Sequence, residues 1–384
     1  MTAARTRHGP PGPPPGAASA AAAAPEAAAP VGTGHATCHH GEILQGVFLD
    51  ERWRRRAGLV TLPLAGLGTR ARFARRPGTD EVTVVPADRT KALRAATYAL
   101  AECATRRQEP LDGGELTLDG DIPVGLGMGS SSSDVIAAVR AVADAYGVHL
   151  APEVIARLAV RAERASDPLM LDGRPLLFAQ REGRVLEELG AALPPALVVG
   201  DARGGGRPVD TLALPAPADD AFDEADVPAY ERLRALLRRA VAAADPVLLG
   251  HVATESARLR QRVLPHAEFA VLTEIAGRVG AVGVQVAHSG NVAGLLFDPA
   301  APDPRGRVRD CARALRAAGI PTTYTFPTRP SPGALAAPRS PGAATAPGTP
   351  SPTSEEPPHG RAHRGSDRPP RPDTCRRRTH LPAL

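Results

Sequence analysis

The sequence has very few lysines and cysteines and no long apolar segment. Lys91 is the only lysine among 384 residues, so any cation that a site needs must come from arginine, histidine or a metal ion. The four cysteines show no Cys-x-x-Cys spacing, which argues against a disulfide framework or structural zinc site and predicts a reducing cytoplasmic environment. No apolar run approaches the ~18 residues of a transmembrane helix, and the N-terminal residues lack the leucine-rich core of a signal peptide. We therefore expect no membrane partner.

The excess of positive charge is confined to the two ends of the chain. The net charge is +5, but residues 329–384 contribute +5 and residues 1–30 contribute +1, which leaves −1 for residues 31–328. A nearly neutral folded region has no basic surface that would bind a polyanion. We expect no specific nucleic-acid partner, and the sequence does not indicate an oligomeric state.

Composition divides the chain into a folded region and two tails. Residues 1–30 are rich in Ala and Pro, and residues 329–384 in Pro, Ser and Arg, so both are predicted to be disordered. Between them, strand and helix patterns alternate without a regular βαβ repeat, which predicts an α+β fold in two lobes, 31–150 and 151–328. The patterns predict a β-rich start at 41–64, and they predict helices at 90–107, 133–146, 152–165, 229–244, 246–261, 266–279 and 305–318.

The stretch DIPVGLGMGSSSSDVIAAV, residues 121–139, indicates a phosphate-binding loop. A predicted strand precedes it, and an amphipathic helix follows it with Ser132 or Ser133 as N-cap. Glycines leave backbone N–H groups uncovered, and the helix start adds a partial positive charge that attracts phosphate. A flexible Gly/Ser linker is the alternative interpretation. The predicted ATP-binding residues are Pro123, Val124, Gly125, Leu126, Gly127, Met128, Gly129, Ser130, Ser131, Ser132 and Ser133.

Three motifs carry a family resemblance. IPVGLGMGSSSSD resembles the second motif of the GHMP kinases, the galactose, homoserine, mevalonate and phosphomevalonate kinases. CHHGEILQG (38–46) and VAHSGNVAGLLFD (286–298) resemble motifs of the L-threonine kinases that serve cobalamin synthesis. The resemblance implies a two-lobed GHMP-type fold and ATP and Mg²⁺ as cofactors. It also implies phosphorylation of a small-molecule substrate, L-threonine, to O-phospho-L-threonine, with Glu42, Gln45, His288 and Ser289 in the acceptor pocket.

Three carboxylates at or after the end of the predicted helix 152–165 are candidates for catalysis or metal binding: Glu163 in its last turn, then Asp167 and Asp172. Phosphoryl transfer needs a metal ion and a group that positions the acceptor hydroxyl. We expect Ser131 and Glu163 to bind Mg²⁺. The threonine-kinase alignment makes Asp167 the catalytic carboxylate, whereas the wider family alignment points to Asp172. A solvated helix end with local ion pairs is the alternative without a catalytic role.

Several further alternatives remain open. HATCHHGE (35–42) contains three histidines, but neighbouring residues of a strand point to opposite faces and no zinc spacing is present, so no metal site is expected there. The His39–His40 pair is an insertion relative to the family motif and changes the local substrate contacts. Homoserine, a sugar or a specialised metabolite can replace L-threonine as acceptor. A nucleotide-binding protein that has lost catalysis is the non-enzymatic alternative.

Replacement of Gly127 by valine should abolish ATP binding, because a β-branched side chain blocks the approach of backbone N–H groups to the phosphates. Isothermal titration calorimetry with ATP measures this. Removal of residues 329–384 is the control and should leave ATP affinity unchanged. Equal affinity of Gly127→Val and the parent protein would show that the loop does not bind phosphate.

Overall fold

The fold consists of two β-sheets with helices packed against them. The computed structural model describes residues 30–122, 128–171, 173–202, 222–288 and 292–328. Within these residues the strands are β1 (Val31–Leu49), β2 (Arg55–Arg75), β3 (Val82–Val85), β4 (Gly114–Gly120), β5 (Leu176–Ala179), β6 (Arg184–Glu188), β7 (Leu197–Ala202), β8 (Gly283–Val286), β9 (Val292–Phe297) and β10 (Thr322–Pro327). The helices are α1 (Thr90–Arg107), α2 (Ser130–Ala145), α3 (Pro152–Glu163), α4 (Val227–Ala243), α5 (Pro246–Arg260), α6 (Phe269–Val279) and α7 (Pro304–Ala317).

The first sheet is built on the long hairpin of β1 and β2. Its strand order is β3-β4-β2-β5-β6, and β1 pairs with β2 along most of its length. The second sheet has the order β10-β7-β9-β8, and its described pairs are antiparallel. Strands β5 and β6 join the first sheet although they follow residue 150, and the predicted lobe boundary at that residue stays a prediction. The mixed α+β arrangement is confirmed.

Helix α2 lies very close to the first half of β1. Its apolar face, predicted from Val135, Ile136 and Val139, is fully buried between the sheet and helices α1 and α3. Where α2 crosses β1, a Cβ on Gly34 would lie 2.1 Å from the carbonyl oxygen of Ala137. The small residue therefore allows the backbones to touch, and this contact sets the position of the start of α2.

The second half of β1 faces the other part of the molecule. The backbone N–H of Gln45 donates to Ser256 Oγ on α5 at 3.0 Å, and Thr254 Oγ1 on the same helix accepts from the N–H of Val284 on β8 at 2.9 Å. Helix α5 thus connects β1 to the second sheet. A single strand, β1, therefore contacts both α2 and α5.

The predicted elements agree with the structure in kind and differ at several ends. Helix α1 spans 90–107 as predicted, and the other six predicted helices are present with ends shifted by up to three residues. The predicted β-rich start at 41–64 is too short, since β1 begins at Val31, where glycines interrupt the apolar pattern. In the described part of the chain, no helix combines the length and the apolar composition that a membrane crossing requires.

Substitution of Gly34 by alanine should destabilise the protein by about 3 kcal/mol, because the added methyl group overlaps a backbone atom that cannot rotate away. Chemical denaturation of both proteins measures the free energy of unfolding. Gly277→Ala on α6 is the matched control, since no atom lies within 4 Å of a Cβ there. The control should be neutral or stabilising by about 0.5–1 kcal/mol. A neutral Gly34→Ala would contradict the close contact between α2 and β1.

Candidate active site

Two serines at the start of α2 bind the carboxylate at the end of α3. Ser131 Oγ donates to Glu163 Oε2 at 2.7 Å, and Ser132 Oγ donates to Glu163 Oε1 at 2.8 Å. Glu163 is 5% exposed, so its charge lies almost entirely out of water. Both carboxylate oxygens are therefore aligned on the first turn of α2, the turn that follows the predicted phosphate loop.

The predicted capping of α2 is wrong. The helix begins at Ser130 and not at residue 133, and its N-cap residue, Gly129, makes no side-chain capping hydrogen bond. Ser133 Oγ instead donates to the carbonyl oxygen of Ala36 on β1 at 2.9 Å and accepts the N–H of Thr69 at 3.1 Å. The hydroxyls of Ser132 and Ser133, which were predicted to cap the helix, therefore bind Glu163 and Ala36, residues distant in the chain.

Asp167 lies beside the same serine. Its backbone N–H donates to Ser132 Oγ at 3.2 Å, and its Oδ2 lies 2.9 Å from His39 Nε2. Asp167 is 6% exposed and His39 is fully buried. A Cβ on Gly129 would lie 2.4 Å from His39 Cδ2, so the imidazole packs directly against the start of α2. The catalytic candidate therefore sits between a helix start and a histidine of β1.

An irregularity in β1 brings His39 and Glu42 to one side of the strand. The pairing of β1 with β2 shifts register between His39 and Glu42 and again between Glu42 and Leu44. Gly41 has φ +72°, a conformation that favours glycine. His39 Nδ1 consequently lies 3.8 Å from Glu42 Oε1. The expectation that neighbouring side chains of this strand separate to opposite faces is wrong at the bulge.

Glu42 in turn binds the loop after β8. Its Oε2 accepts the backbone N–H of His288 at 2.6 Å, and its Oε1 lies 3.0 Å from His288 Nδ1. Gln45 Nε2 donates to the carbonyl oxygen of Val286 at 2.8 Å, whereas Gln45 Oε1 is buried without a hydrogen-bond partner. These contacts hold the second sheet against β1 and leave one buried acceptor available to a ligand.

Carboxylates and imidazoles alternate along the contacts from Asp167 to His39, Glu42 and His288. Burial opposes ionisation of His39, but the carboxylates of Asp167 and Glu42 outweigh it and raise the pKa of His39 to about 9. Burial favours the neutral form of Asp167, yet the neighbouring His39 holds its pKa well below the usual range. Burial raises the pKa of Glu163 to about 7. Glu42 likewise outweighs burial and raises the pKa of His288.

A cavity adjoins the start of α2 on the other side of Asp134. Its volume is about 240 Å³, and its lining includes Thr69, Pro86, Arg89, Ile122, Ser130 and Asp134. Thr69 Oγ1 donates to Asp134 Oδ1 at 2.6 Å, which fixes the first turn of α2 at the cavity wall. The cavity is therefore open to a ligand group next to the candidate phosphate site.

Comparison with known proteins identifies the family. The family described as GHMP kinases N terminal domain matches residues 91–170. The 4-diphosphocytidyl-2-C-methyl-D-erythritol kinase of Corynebacterium efficiens is 31% identical over 239 residues, which cover 59% of this chain and 68% of that protein. The chain belongs to the GHMP kinase family.

Other relatives of this GHMP kinase are L-threonine kinases. The Citrobacter freundii protein is 27% identical over 68% of this chain and 84% of its own length. The Salmonella typhimurium protein is 29% identical over 46% of this chain, and the match spans 57% of that protein's length. The fold resembles homoserine kinase from Cytophaga hutchinsonii, with a TM-score of 0.56, 14% identity, and coverage of 79% of this chain and 96% of that one.

The predicted site residues of this GHMP kinase meet in part. Glu163, Asp167, Ser131 and Ser132 form one cluster, which Glu42 and His288 join through His39. Met128 is buried in the core, and its carbonyl oxygen accepts the N–H of His39 at 3.3 Å. Seven predicted residues lie outside the described residues, namely Pro123, Val124, Gly125, Leu126, Gly127, Asp172 and Ser289.

Two groups of side chains in the described part of this GHMP kinase could hold a metal ion. Ser131 and Glu163 offer oxygen atoms, the donors that Mg²⁺ prefers, beside the candidate phosphate site. Ligand atoms of His39, Glu42 and Asp167 lie within 4.8 Å of one another. His39 carries a proton over most of the pH range, however, and a proton competes with a metal ion for the imidazole. The serine–glutamate pair is therefore the better candidate for a magnesium site.

Sequence reasoning missed the part that His39 plays. It treated the His39–His40 pair only as an insertion that changes substrate contacts, whereas His39 contacts Asp167 directly. A glycine inside a strand pattern often marks a bulge, so Gly41 was the available signal. The identity of the carboxylate that faces His39 could not be read from the sequence, because the two residues are far apart in the chain.

His39 should remain protonated up to about pH 9 in the folded protein. The imidazole signals of wild type and His39→Gln, followed by NMR against pH, identify the resonance and its titration. Because the folded pKa lies above the value of 6.5 for an unfolded histidine, the stabilisation by the Asp167 contact should be complete below about pH 6.5 and lost as the pH rises through about 9. A His39 signal that titrates below pH 6.5 would contradict the ion pair.

Proposed function

We propose that this GHMP kinase transfers the γ-phosphoryl group of ATP to the hydroxyl of L-threonine and forms O-phospho-L-threonine. Two relatives named L-threonine kinases, 27% and 29% identical, support the choice of acceptor. The assembled cluster of Ser131, Ser132, Glu163 and Asp167 supports the reaction type. It also argues against the alternative that catalysis has been lost.

The observation that carries the proposal is the placement of Asp167 at the start of α2. A helix N-terminus offers free N–H groups and partial positive charge to phosphate oxygens. Asp167 contacts that same turn through Ser132, so a hydroxyl bound to Asp167 lies next to a phosphate bound at the helix. Phosphoryl transfer depends chiefly on such positioning of the two reactants.

Ser131 and Glu163 fit a magnesium ion. A hydroxyl and a carboxylate 2.7 Å apart supply oxygen ligands on the phosphate side of the site. Mg²⁺ bound there neutralises charge on the triphosphate. Burial raises the pKa of Glu163 to about 7, so a nearby cation is needed to keep the carboxylate ionised at neutral pH.

Asp167 is suited to orient the acceptor hydroxyl. The contact with His39 lowers its pKa, which makes it a weak base but keeps it ionised and fixed in direction. An ionised carboxylate accepts a hydrogen bond from the hydroxyl and points the oxygen lone pair at the phosphorus. It receives the proton only as the new bond to phosphorus makes the hydroxyl acidic.

The cavity beside α2 is the proposed site of the nucleotide base. It touches Ser130 in the first turn of α2, so a base there is continuous with phosphates at the helix start. Pro86 and Ile122 supply apolar walls, and Arg89 and Asp134 supply polar groups.

The cytoplasmic location and a part in cobalamin synthesis stay predictions.

Glu163→Gln and Asp167→Asn should each lower kcat for L-threonine by about 10²–10³-fold, because each removes a charge that acts on the reacting groups. ATP affinity should change much less, since backbone N–H groups bind the phosphates independently. Coupled ADP-release assays measure kcat, and calorimetry measures ATP affinity.

Glu153→Gln is the matched control for this experiment, because Glu153 is exposed in the first turn of the same helix, α3. It should leave kcat unchanged. Full activity of Asp167→Asn together with an inactive Asp172→Asn would show that Asp172 is the catalytic carboxylate. Full activity of all three substituted proteins would mean that these carboxylates take no part in catalysis. Turnover of homoserine or a sugar in place of L-threonine would assign a different acceptor.

A further inference from the structure

Arg260 is a buried arginine without a described ion-pair partner. It is the last residue of α5 and is 8% exposed. Its Nη2 donates to the carbonyl oxygen of His288 at 3.3 Å, whereas its Nε is buried without a hydrogen-bond partner. Among the described residues, no carboxylate oxygen lies within 4.0 Å of the guanidinium. The Phe222 ring lies 5.9 Å from its guanidinium carbon. Burial lowers the pKa of Arg260, although Tyr230 and Glu42 act in the opposite direction.

A buried guanidinium without a direct ion pair among the described residues is unfavourable in the protein alone. Removal of a charge from water costs several kcal/mol unless a partner of opposite charge and further hydrogen bonds replace the water. Guanidinium presents five N–H donors in a planar fork that matches a carboxylate. The chemistry of Arg260 therefore calls for an anionic group of a ligand.

The position of Arg260 indicates which ligand would carry this anionic group, the acceptor or ATP. His288 connects it to Glu42, since the carbonyl oxygen of His288 binds Arg260 and its N–H binds Glu42. Glu42 approaches His39, and His39 contacts Asp167. Arg260 is thus at the opposite end of the site from the start of α2, which places it with the acceptor and away from the ATP phosphates.

A second unpartnered group lies at the same end. Ser256 and Arg260 are one helical turn apart on α5, and Ser256 binds the backbone N–H of Gln45. The donated Gln45 Nε2–H···O bond to Val286 fixes the amide orientation, so Gln45 Oε1 is a buried acceptor without a partner. Gln45 binds Val286 and Glu42 binds His288, two residues further along the same segment. An unpartnered acceptor and a negative charge on one segment suit a cationic ligand group.

We infer that Arg260 binds the carboxylate of an α-amino acid acceptor, while Gln45 Oε1 and Glu42 face its ammonium group. The inference rests on the proposed function and deepens it, because it makes Arg260 a specificity-determining residue. The site then offers a hydroxyl position at Asp167, an ammonium position at Glu42 and a carboxylate position at Arg260. L-Threonine carries these three groups, whereas a sugar carries only the hydroxyl.

The test compares wild type, Arg260→Gln and Arg258→Gln on two matched acceptors in the full-length protein. The acceptors are L-threonine and (R)-1-aminopropan-2-ol, which is L-threonine without its carboxylate. Arg260→Gln should lower kcat/KM for L-threonine by about a hundredfold and change kcat/KM for the amino alcohol by less than about twofold. Arg258 is exposed on the same helix, where it pairs with Glu255, so Arg258→Gln should change neither.

Two binding and stability measurements separate a substrate contact from a structural role. ATP affinity by calorimetry should be equal in wild type and Arg260→Gln. The Tm of Arg260→Gln should equal or exceed that of wild type, because the variant removes a buried charge that the protein does not compensate. A lowered Tm with parallel loss on both acceptors would mean that Arg260 is structural and would overturn the inference.

The remaining outcomes distinguish the inference from the function on which it rests. Undiminished turnover of L-threonine by Arg260→Gln would overturn the inference and leave the proposed function intact. If wild type phosphorylates L-homoserine instead, the choice of L-threonine is wrong. The matched acceptor is then 3-aminopropan-1-ol, which is L-homoserine without its carboxylate. A larger loss of kcat/KM in Arg260→Gln on L-homoserine than on 3-aminopropan-1-ol supports the inference. If the acceptor that wild type phosphorylates has no carboxylate, the inference about Arg260 is overturned. If nothing is phosphorylated, calorimetry with L-threonine decides, since binding to wild type but not to Arg260→Gln supports the inference and no binding overturns it.

Discussion

The carboxylate of Glu163 joins the two helices on which the candidate site is built. Its two oxygens accept hydrogen bonds from Ser131 and Ser132, so the end of α3 is fixed against the start of α2. Asp167 follows four residues later and reaches the same turn through Ser132. The start of α2, where we propose that phosphate binds, and Asp167, which we propose orients the acceptor, are therefore positioned by one set of contacts.

The bulge in β1 supplies the other half of the site. Gly41 lets the strand turn locally, and His39 and Glu42 then lie on the same side, facing Asp167 and His288. Two carboxylates thus meet two imidazoles in a row that is buried except at His288, and each charge compensates its neighbour. Unpaired charges in such a place would be strongly destabilising, so the row also holds the second sheet against β1.

Arg260, in contrast, has no ion-pair partner among the described residues. Its guanidinium is buried at the end of the row. The described residues offer it one backbone carbonyl and the face of the Phe222 ring, but no carboxylate within ion-pair distance. Near the proposed phosphate site, Glu163 and Asp167 are bound by side chains of the protein itself. At the other end of the site, Arg260 Nε and Gln45 Oε1 have no hydrogen-bond partner. Under the proposed function, that difference would let this GHMP kinase distinguish an amino-acid acceptor from other alcohols.

The sequence by itself determined the family and the helices, because these follow from local periodicity and short motifs. It predicted Glu163 and Asp167 from their place at and just after the end of α3, with Asp172 as an alternative, and Glu42 and His288 from motifs that resemble those of known kinases. Only the tertiary structure decided that His39 contacts Asp167, that the serine hydroxyls bind Glu163 and β1 in place of a cap, and that Arg260 is buried beside His288. These contacts join residues far apart in the chain, and a bulge moves side chains to the other face of a strand. No pattern within a short segment encodes such contacts, since they arise from how the sheets and helices pack.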